Sequence, residues 1–317
     1  PVNYSFIWRD ESGTLISTDP TYTAEDPGIY TLEVSYTDGS GCTAPLEIFT
    51  VNESGNPAVT ASVTSEPFAD THVIVATASG TSAIATSLMV ILRTGDHIVA
   101  SNSLYGGTYN LLSNTLPRFG ITTTFVDPDD PTEFTKAVKS NTRAFFAESL
   151  GNPKLDVLDL KAISESAKKA KVPFIVDNTV ASPALLNPIE HGANIVIHSL
   201  TKYLTGNGTS MGGVIIDAGT FNWGNGNFPE FTEPNPSYHG LNYHEALGKI
   251  AFIAKVRVEG LRDLGSAPSP FNSFQTIQGI ETLDIRMKKH SENAIKIAAW
   301  LSTKDEVAWV NYPGLKS

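Results

Sequence analysis

Apolar and polar positions alternate in two different ways along the chain, and the change of pattern divides it. In residues 1–52, aromatic and β-branched residues alternate with polar ones in short runs that Gly, Asp and Pro separate. This pattern predicts a small all-β module with strands at 4–10, 29–38 and 46–51. Residues 53–70 are rich in Ser, Thr, Pro and Asn, which predicts a linker.

From residue 71 onward, short continuous apolar runs alternate with segments of helical periodicity. The runs predict buried strands at 72–78, 97–101, 121–127, 143–149, 173–176 and 195–197, and residues 307–317, last in the chain, predict a strand and a turn. The periodic segments predict helices at 82–92, 131–139, 244–264, 269–283 and 284–301. A further helix is predicted behind a possible Asp156 cap, because Leu160, Ile163, Ala167 and Ala170 recur at helical spacing. Strand and helix in alternation predict an α/β domain whose mostly parallel sheet is covered on both faces.

Polar residues follow two of the predicted strands. The run Pro173 to Val176 ends at Asp177-Asn178-Thr179, and the run Ile195 to Ile197 ends at His198-Ser199-Leu200-Thr201-Lys202. Because ligands bind outside the carboxyl ends of parallel strands, Asp177 and Lys202 could face one crevice. A carboxylate opposite a reactive amine suits pyridoxal phosphate. The plainer interpretation makes Lys202 a solvated surface residue and Asp177 a helix cap.

A second candidate feature is the turn Ser79-Gly80-Thr81, which joins the predicted strand at 72–78 to the helix that follows. A glycine at such a turn lets backbone N–H groups approach an anion, and the helix dipole favours negative charge there. The sequence leaves two interpretations open, a phosphate site and an ordinary tight turn.

Composition narrows the classes of function. The 33 acidic residues outnumber the 22 basic ones, which argues against nucleic acid and anionic membranes as partners. Cys42 is the single cysteine, and the seven histidines lack the spacing of metal ligands, so we expect neither a disulfide framework nor a metal site. No apolar stretch has the length of a membrane span, and no signal peptide is recognised.

Residues 76–317 resemble the pyridoxal-phosphate enzymes of cysteine and methionine metabolism, and among them the O-acetylhomoserine sulfhydrylases. The resemblance rests on eight motifs that occur in order: TASGTSAI (77–84), SLYGGTYNL (103–111), VDPDDP (126–131), ESLGNP (148–153), IVDNTVASP (175–183), IHSLTKYLTGNGTSMGGVI (197–215), FPEFTEPNPSYHGL (228–241) and RMKKHSENA (286–294). The stretch 228–241 favours the sulfhydrylase branch over the γ-synthase and γ-lyase branches.

The resemblance implies an aspartate-aminotransferase-like (fold type I) large domain at 71–265 and the start of a C-terminal domain at 266–317, truncated at both ends. It also implies the residues that bind pyridoxal phosphate. Lys202 would hold the cofactor covalently and move protons, Asp177 would pair with the ring nitrogen, and Tyr105 would stack on the ring and assist proton movements. The remaining implied cofactor ligands are Ser79, Gly80, Thr81, Asn152, Thr179, Ser199 and Thr201.

The implied reaction is a γ-replacement on O-acetylhomoserine: acetate leaves, sulfide or a small thiol adds, and homocysteine or a thioether is formed. The alternatives are cystathionine γ-synthase or methionine γ-lyase chemistry, or a non-catalytic chimera or fragment. The family resemblance further implies a homo-oligomer, a dimer or tetramer, in the cytoplasm. The family's Tyr-x-Arg segment and substrate-carboxylate Arg have no counterpart in this sequence.

Residues 1–52 resemble part of an immunoglobulin-like or PKD-like module of bacterial surface proteins. The resemblance rests on the segment 21–44, whose pattern is that of the last strands of such modules. It implies that a location at the cell surface stays open beside the cytoplasmic one.

Overall fold

The computed structural model describes residues 4–24, 26–37, 46–51 and 73–315, and the chain divides into two compact units, residues 1–69 and 70–317. The first unit contains β1 (Tyr4–Arg9), β2 (Leu15–Ser17), β3 (Gly28–Tyr36) and β4 (Glu47–Val51) in one antiparallel sheet of order β2-β1-β3-β4. The ring of Trp8 contacts the rings of Tyr22 and Phe49, and the ring of Tyr22 also contacts that of Tyr30. The three predicted strands are present, β2 was not predicted, and the predicted linker at 53–70 lies outside the described residues.

The second unit is built on a seven-stranded sheet. Its strands are β5 (Val73–Thr77), β6 (His97–Ser101), β7 (Thr122–Val126), β8 (Thr142–Glu148), β9 (Phe174–Asp177), β10 (Ile195–Ser199) and β11 (Gly213–Asp217), in the order β5-β11-β10-β9-β8-β6-β7. Only β11 runs against its neighbours β10 and β5, so the predicted mostly parallel sheet is confirmed. The pattern of the sequence did not predict β11.

Helices cover the sheet. They are α1 (Gly80–Met89), α2 (Gly106–Asn110), α3 (Thr132–Lys136), α4 (Leu160–Ala170), α5 (Ser182–Leu185), α6 (Pro229–Thr232), α7 (Tyr243–Leu247), α8 (Ala251–Lys255), α9 (Arg262–Leu264), α10 (Pro270–Glu281) and α11 (Leu283–Leu301). One apolar core joins the sheet to α1 and α8, and a second joins it to α3 and α4. These two cores explain why β6, β8 and β9 have apolar residues on both faces. No helix in the described part of the chain is long and apolar enough to cross a membrane.

Three predictions of elements were wrong in whole or in part. Of the strand and turn predicted at 307–317, the strand is wrong: residues 307–312 are irregular, and Pro313 has no N–H to donate to a ladder. The turn is present at 313–314, where the amide of Leu315 donates to the carbonyl of Tyr312 at 3.1 Å. The predicted helix at 244–264 is interrupted at Gly248, whose φ of 51° is not helical. Beyond the interruption it continues without a break from α8 through a π-helical segment, Val256–Leu261, into α9.

The third error is the cap of α4. The N-cap is Asp159, whose side chain accepts a hydrogen bond from the amide of Ala162 at 3.0 Å. Asp156 instead accepts a hydrogen bond from the hydroxyl of Ser103 at 2.7 Å. A carboxylate that precedes a helical pattern can serve either purpose, and the tertiary contact with Ser103 decides between them.

Candidate active site

A cavity of about 660 Å³ lies at the edge of the large sheet where β8, β9 and β10 end. All ten residues that the family resemblance implies as cofactor ligands line it: Ser79, Gly80, Thr81, Tyr105, Asn152, Asp177, Thr179, Ser199, Thr201 and Lys202. They come from separate segments of the chain, which the parallel arrangement of the strands brings to one edge.

One wall of the cavity is the N-terminus of α1. Ser79 caps the helix, and its hydroxyl accepts a hydrogen bond from the amide of Ser82 at 3.1 Å. The amides of Gly80 and Thr81 belong to the first turn and have no partner within the helix, so they and the helix dipole favour an anion. A Cβ on Gly80 would lie 2.6 Å from the Cβ of Ser199, and therefore only glycine lets α1 approach the end of β10 this closely.

Asp177, the last residue of β9, forms the buried floor of the cavity, with 8% of its surface exposed. Its Oδ1 accepts hydrogen bonds from the amide of Thr179 at 3.0 Å and from the Thr179 hydroxyl at 2.5 Å. The same hydroxyl oxygen accepts a hydrogen bond from the amide of Ser199 at 2.8 Å, which ties β9 to β10. Both bonds to Asp177 use Oδ1, and this leaves Oδ2 for a nitrogen that carries a proton.

Burial raises the pKa of Asp177 to about 6, although the two hydrogen bonds from Thr179 oppose the shift. A cationic group next to the carboxylate lowers such a pKa again, because it stabilises the ionised form. Asp177 is therefore suited to pair with a protonated ring nitrogen.

Lys202 lies in a turn that follows β10 directly. The amide of Lys202 donates to the carbonyl of Ser199 at 3.4 Å, and the carbonyl of Lys202 accepts a hydrogen bond from the amide of Gly206 at 2.9 Å. The Thr201 hydroxyl exchanges hydrogen bonds with the backbone of Gly212, which closes the turn against β11. The backbone of Lys202 is thus held in place, while its side chain is exposed in the cavity.

Tyr105 lies just before α2 with 48% of its surface exposed. Its amide donates a hydrogen bond to Oε1 of Glu148 at 2.6 Å. A Cβ on Gly107 would lie 2.6 Å from Cε1 of the Tyr105 ring, so the glycine leaves room for the ring in this position. The contact gives a physical reason for the Gly-Gly pair that follows Tyr105.

Sequence reasoning missed Glu148, although this residue begins the motif at 148–153. It ends β8, is 6% exposed, and is paired in register with Asp177 on β9. Burial raises the pKa of Glu148 to about 8, and the negative charge of Asp177 adds to the shift. A polar residue at the end of a strand next to Asp177 is the signal that could have identified it.

Tyr203 and His290 are two further lining residues to which the sequence pattern assigned no role. Tyr203 follows Lys202, and His290 lies on α11, with the two ring centroids 5.6 Å apart. The histidine comes from almost 90 residues farther along the chain, so no local pattern in the sequence could place it here.

These groups fit pyridoxal phosphate. The start of α1 and the hydroxyls of the Ser199–Thr201 segment supply donors for a phosphate, Asp177 supplies a carboxylate for the ring nitrogen, and Lys202 supplies an amine. Gly80 lies so close to Ser199 that a larger residue at position 80 would overlap the Ser199 side chain. Among the described residues, no group of three or more His, Cys, Asp or Glu side chains could hold a metal ion.

Comparison with known proteins identifies relatives of this chain. The sequence profile of the Cys/Met metabolism PLP-dependent enzymes matches residues 53–317. The chain is 58% identical over 250 residues to an O-acetyl-L-homoserine sulfhydrylase of Leptospira meyeri, which covers 76% of this chain and 57% of the relative. It is 48% identical over 246 residues to a homocysteine synthase of Schizosaccharomyces pombe, which covers 77% of this chain and 57% of the relative. The chain thus spans little more than half the length of these relatives.

Two solved structures are also similar to this chain. One from Campylobacter jejuni, described as an O-acetylhomoserine (thiol)-lyase, superimposes with a TM-score of 0.74 at 41% identity over 77% of this chain and 61% of the other. That structure contains N'-pyridoxyl-lysine-5'-monophosphate. An O-acetylhomoserine sulfhydrylase of Wolinella succinogenes gives a TM-score of 0.69 at 35% identity over 77% of this chain and 67% of the other. The second unit has the fold type I architecture, as the family resemblance implied.

Proposed function

The chain belongs to the Cys/Met metabolism PLP-dependent enzymes, and from that premise we propose that it catalyses a γ-replacement on O-acetylhomoserine. Sulfide or a small thiol takes the place of the acetyl ester, which gives homocysteine or a thioether together with acetate. The names of the relatives, O-acetyl-L-homoserine sulfhydrylase and homocysteine synthase, support this substrate and product.

The observation that carries the proposal is that Lys202, Asp177 and the start of α1 line one cavity. In this proposal Lys202 binds pyridoxal phosphate covalently, and Asp177 pairs with the ring nitrogen. Tyr105 would stack on the ring, and Asn152, which lines the same cavity, would lie near it. The phosphate would be held by the remaining proposed ligands, Ser79, Gly80, Thr81, Ser199 and Thr201, while Thr179 orients Asp177.

When bound, pyridoxal phosphate withdraws electrons from the substrate carbons next to the amine. The chain's own residues supply the rest. Asp177 remains ionised through its hydrogen bonds with Thr179 and keeps the ring nitrogen protonated. The Lys202 amine removes and returns protons at Cα and Cβ of the substrate, and its fixed backbone with a free side chain suits this repeated movement. Acetate then leaves from Cγ, and the sulfur nucleophile adds at the same carbon.

The test is product analysis with the full chain, pyridoxal phosphate, O-acetylhomoserine and sulfide. We expect homocysteine and acetate in equal amounts, and a loss of about a thousandfold or more in Lys202→Ala. Replacing sulfide with cysteine tests γ-synthase chemistry, and omitting the acceptor tests γ-lyase chemistry. Turnover in either of these reactions but not with sulfide, or no turnover at all, would contradict the proposed reaction.

Three further proposals accompany this function. Residues 71–265 serve as the cofactor-binding domain and 266–317 as the connection to a C-terminal domain. The first unit is part of an immunoglobulin-like or PKD-like module, which its antiparallel sheet and ring contacts support. The enzyme is a cytoplasmic homo-oligomer, in keeping with the metabolic role of the relatives.

A further inference from the structure

Two helices hold the segment that carries Lys202, residues 200–206, which we name the lysine loop. Leu200 and Leu204 of the loop are buried in an apolar cluster with Leu283 and Met287 of α11. On the side of α10, a Cβ at Gly279 would overlap the carbonyl oxygen of Thr205. The hydroxyls of Thr205 and Thr276 are hydrogen-bonded at 2.9 Å. The loop is therefore packed against both helices and does not extend freely into solvent.

Arg286 of α11 joins this loop to the helices through its guanidinium group. Nη1 donates a hydrogen bond to the carbonyl of Tyr203 at 2.7 Å, and Nη2 donates to the carbonyls of Gly279 at 2.7 Å and Leu204 at 3.4 Å. Nε donates to the hydroxyl of Thr282 at 3.1 Å. One cation thus binds the backbone of the two residues that directly follow Lys202, together with the end of α10. Hydrogen bonds from a charged donor are stronger than neutral ones.

The surroundings of Arg286 are shaped for this contact. Gly206 has a φ of +80°, and a Cβ there would lie 2.5 Å from Nη1 of Arg286, so the loop can pass the guanidinium only as glycine. One helical turn later, His290 places its ring against that of Tyr203. Both contacts lie on the face of α11 that meets the lysine loop.

A fixed backbone matters at this position because Lys202 has two tasks in the proposed function. Its amine holds the cofactor and then moves protons between neighbouring substrate carbons, and small displacements of such a group reduce the rate steeply. In the described part of the chain, the backbone on both sides of Lys202 is bonded, whereas its side chain makes no hydrogen bond or ion pair. The position of the Lys202 side chain must therefore be fixed by the backbone of the lysine loop.

We propose that Arg286 is a positioning residue for Lys202, and this inference rests on the proposed function. Arg286 fixes the carbonyls of Tyr203 and Leu204, and thereby the place from which the Lys202 amine reaches into the cavity. Arg286 is not among the residues that line the cavity.

The test is hydrogen–deuterium exchange of the full chain without cofactor, read on peptides that cover 200–206. The variants are Arg286→Ala and Arg286→Lys, with Lys288→Ala as a control that removes an exposed cation from the same helix. We expect the amides of Thr205 and Gly206 to exchange at least about tenfold faster in Arg286→Ala. Arg286→Lys should give a smaller increase, because an ammonium group cannot bond several carbonyls in the same way. The control should match the wild type.

Unchanged exchange at 200–206 in Arg286→Ala would overturn the inference. An increase spread evenly over the sheet and all helices, or failure of both Arg286 variants to fold, would overturn it as well, because Arg286 would then serve general stability. A second readout is the pH titration of the visible absorption of bound pyridoxal phosphate, whose midpoint should shift in Arg286→Ala and stay in the control. The exchange measurement needs no cofactor or substrate, so it tests the contact between Arg286 and the lysine loop independently of the proposed function. If the wild type bound no pyridoxal phosphate, the proposed function would be contradicted, and the exchange result would still show whether Arg286 fixes the loop.

Discussion

Two carboxyl groups at neighbouring strand ends differ in their protonation. The pKa of Asp177 is raised by burial to about 6, and that of Glu148 is raised by burial, and then by the charge of Asp177, to about 8. Asp177 accepts two hydrogen bonds from Thr179, whereas Glu148 accepts one from the Tyr105 amide. At neutral pH, Asp177 is therefore the ionised member of the pair, and Glu148 keeps its proton.

This difference predicts the effect of Glu148→Gln on stability. Folding favours protonated Glu148, so the wild type loses stability as pH rises from 4.5, the ordinary pKa, through about 8. Glutamine cannot ionise but still offers an oxygen to the Tyr105 amide. The free energy of unfolding of the variant, measured in urea, should equal that of the wild type or lie below it at pH 5, and should exceed it by about 1 kcal/mol or more at pH 8.

The control for this prediction is Glu165→Gln, which changes an exposed carboxylate on α4. The difference in the free energy of unfolding between this control variant and the wild type should hardly depend on pH. If the difference in the free energy of unfolding between Glu148→Gln and the wild type were also the same at pH 5 and pH 8, burial would not raise the pKa of Glu148. This carboxyl group would then be ionised in the folded chain at neutral pH.

At the scale of residues, the sequence could predict what lies at the ends of strands. Asp177 and Lys202 were predicted because each follows an apolar run, and the sheet brings both into one cavity. Arg286 and His290 act on the same loop from α11, more than 80 residues away, and only the packing of that helix shows this. Glu148 was overlooked because its role depends on its register with Asp177.

At the scale of elements, the start of α1 is the part of the site with the strictest steric requirement. Gly80 is its first residue, and a Cβ there would meet Ser199. We expect Gly80→Ala to move the helix away from β10 and to weaken pyridoxal phosphate binding by about tenfold or more in a spectroscopic titration.

The matched control is Gly106→Ala, which also changes the first residue of a helix near the cavity. A Cβ at Gly106 would have no atom within 4 Å, so its affinity for pyridoxal phosphate should stay within about twofold of the wild type. Equal affinities in Gly80→Ala and the wild type would show that the approach of α1 to Ser199 is not needed for the cofactor.

The elements themselves were predicted where a local pattern decides them. Long periodic segments such as α4, α10 and α11 were found, because burial of one face is visible in the sequence. β11 was missed because its pairing with β10 and β5 is antiparallel and distant. The final strand was predicted from apolar residues alone, although Trp309 is 78% exposed and nothing pairs with this segment among the described residues.

At the scale of the whole molecule, the second unit contains the complete set of predicted cofactor ligands. The large sheet gathers them at one edge, and the family profile covers the same region. The chain spans 57% of the length of the sulfhydrylase of Leptospira meyeri, so cofactor binding and turnover are separate questions. The proposed cofactor ligands are residues that this structure describes, and the proposed reaction requires that they bind the cofactor.

Covalent binding is tested by incubating the full chain with pyridoxal phosphate, reducing it with borohydride, and locating the adduct by peptide mass mapping. We predict one pyridoxyl group on the peptide that contains Lys202, formed in a one-to-one ratio, and none in Lys202→Ala. No adduct in the wild type, an adduct at other lysines only, or an equal yield in Lys202→Ala would contradict the assignment of Lys202 as the residue that holds the cofactor.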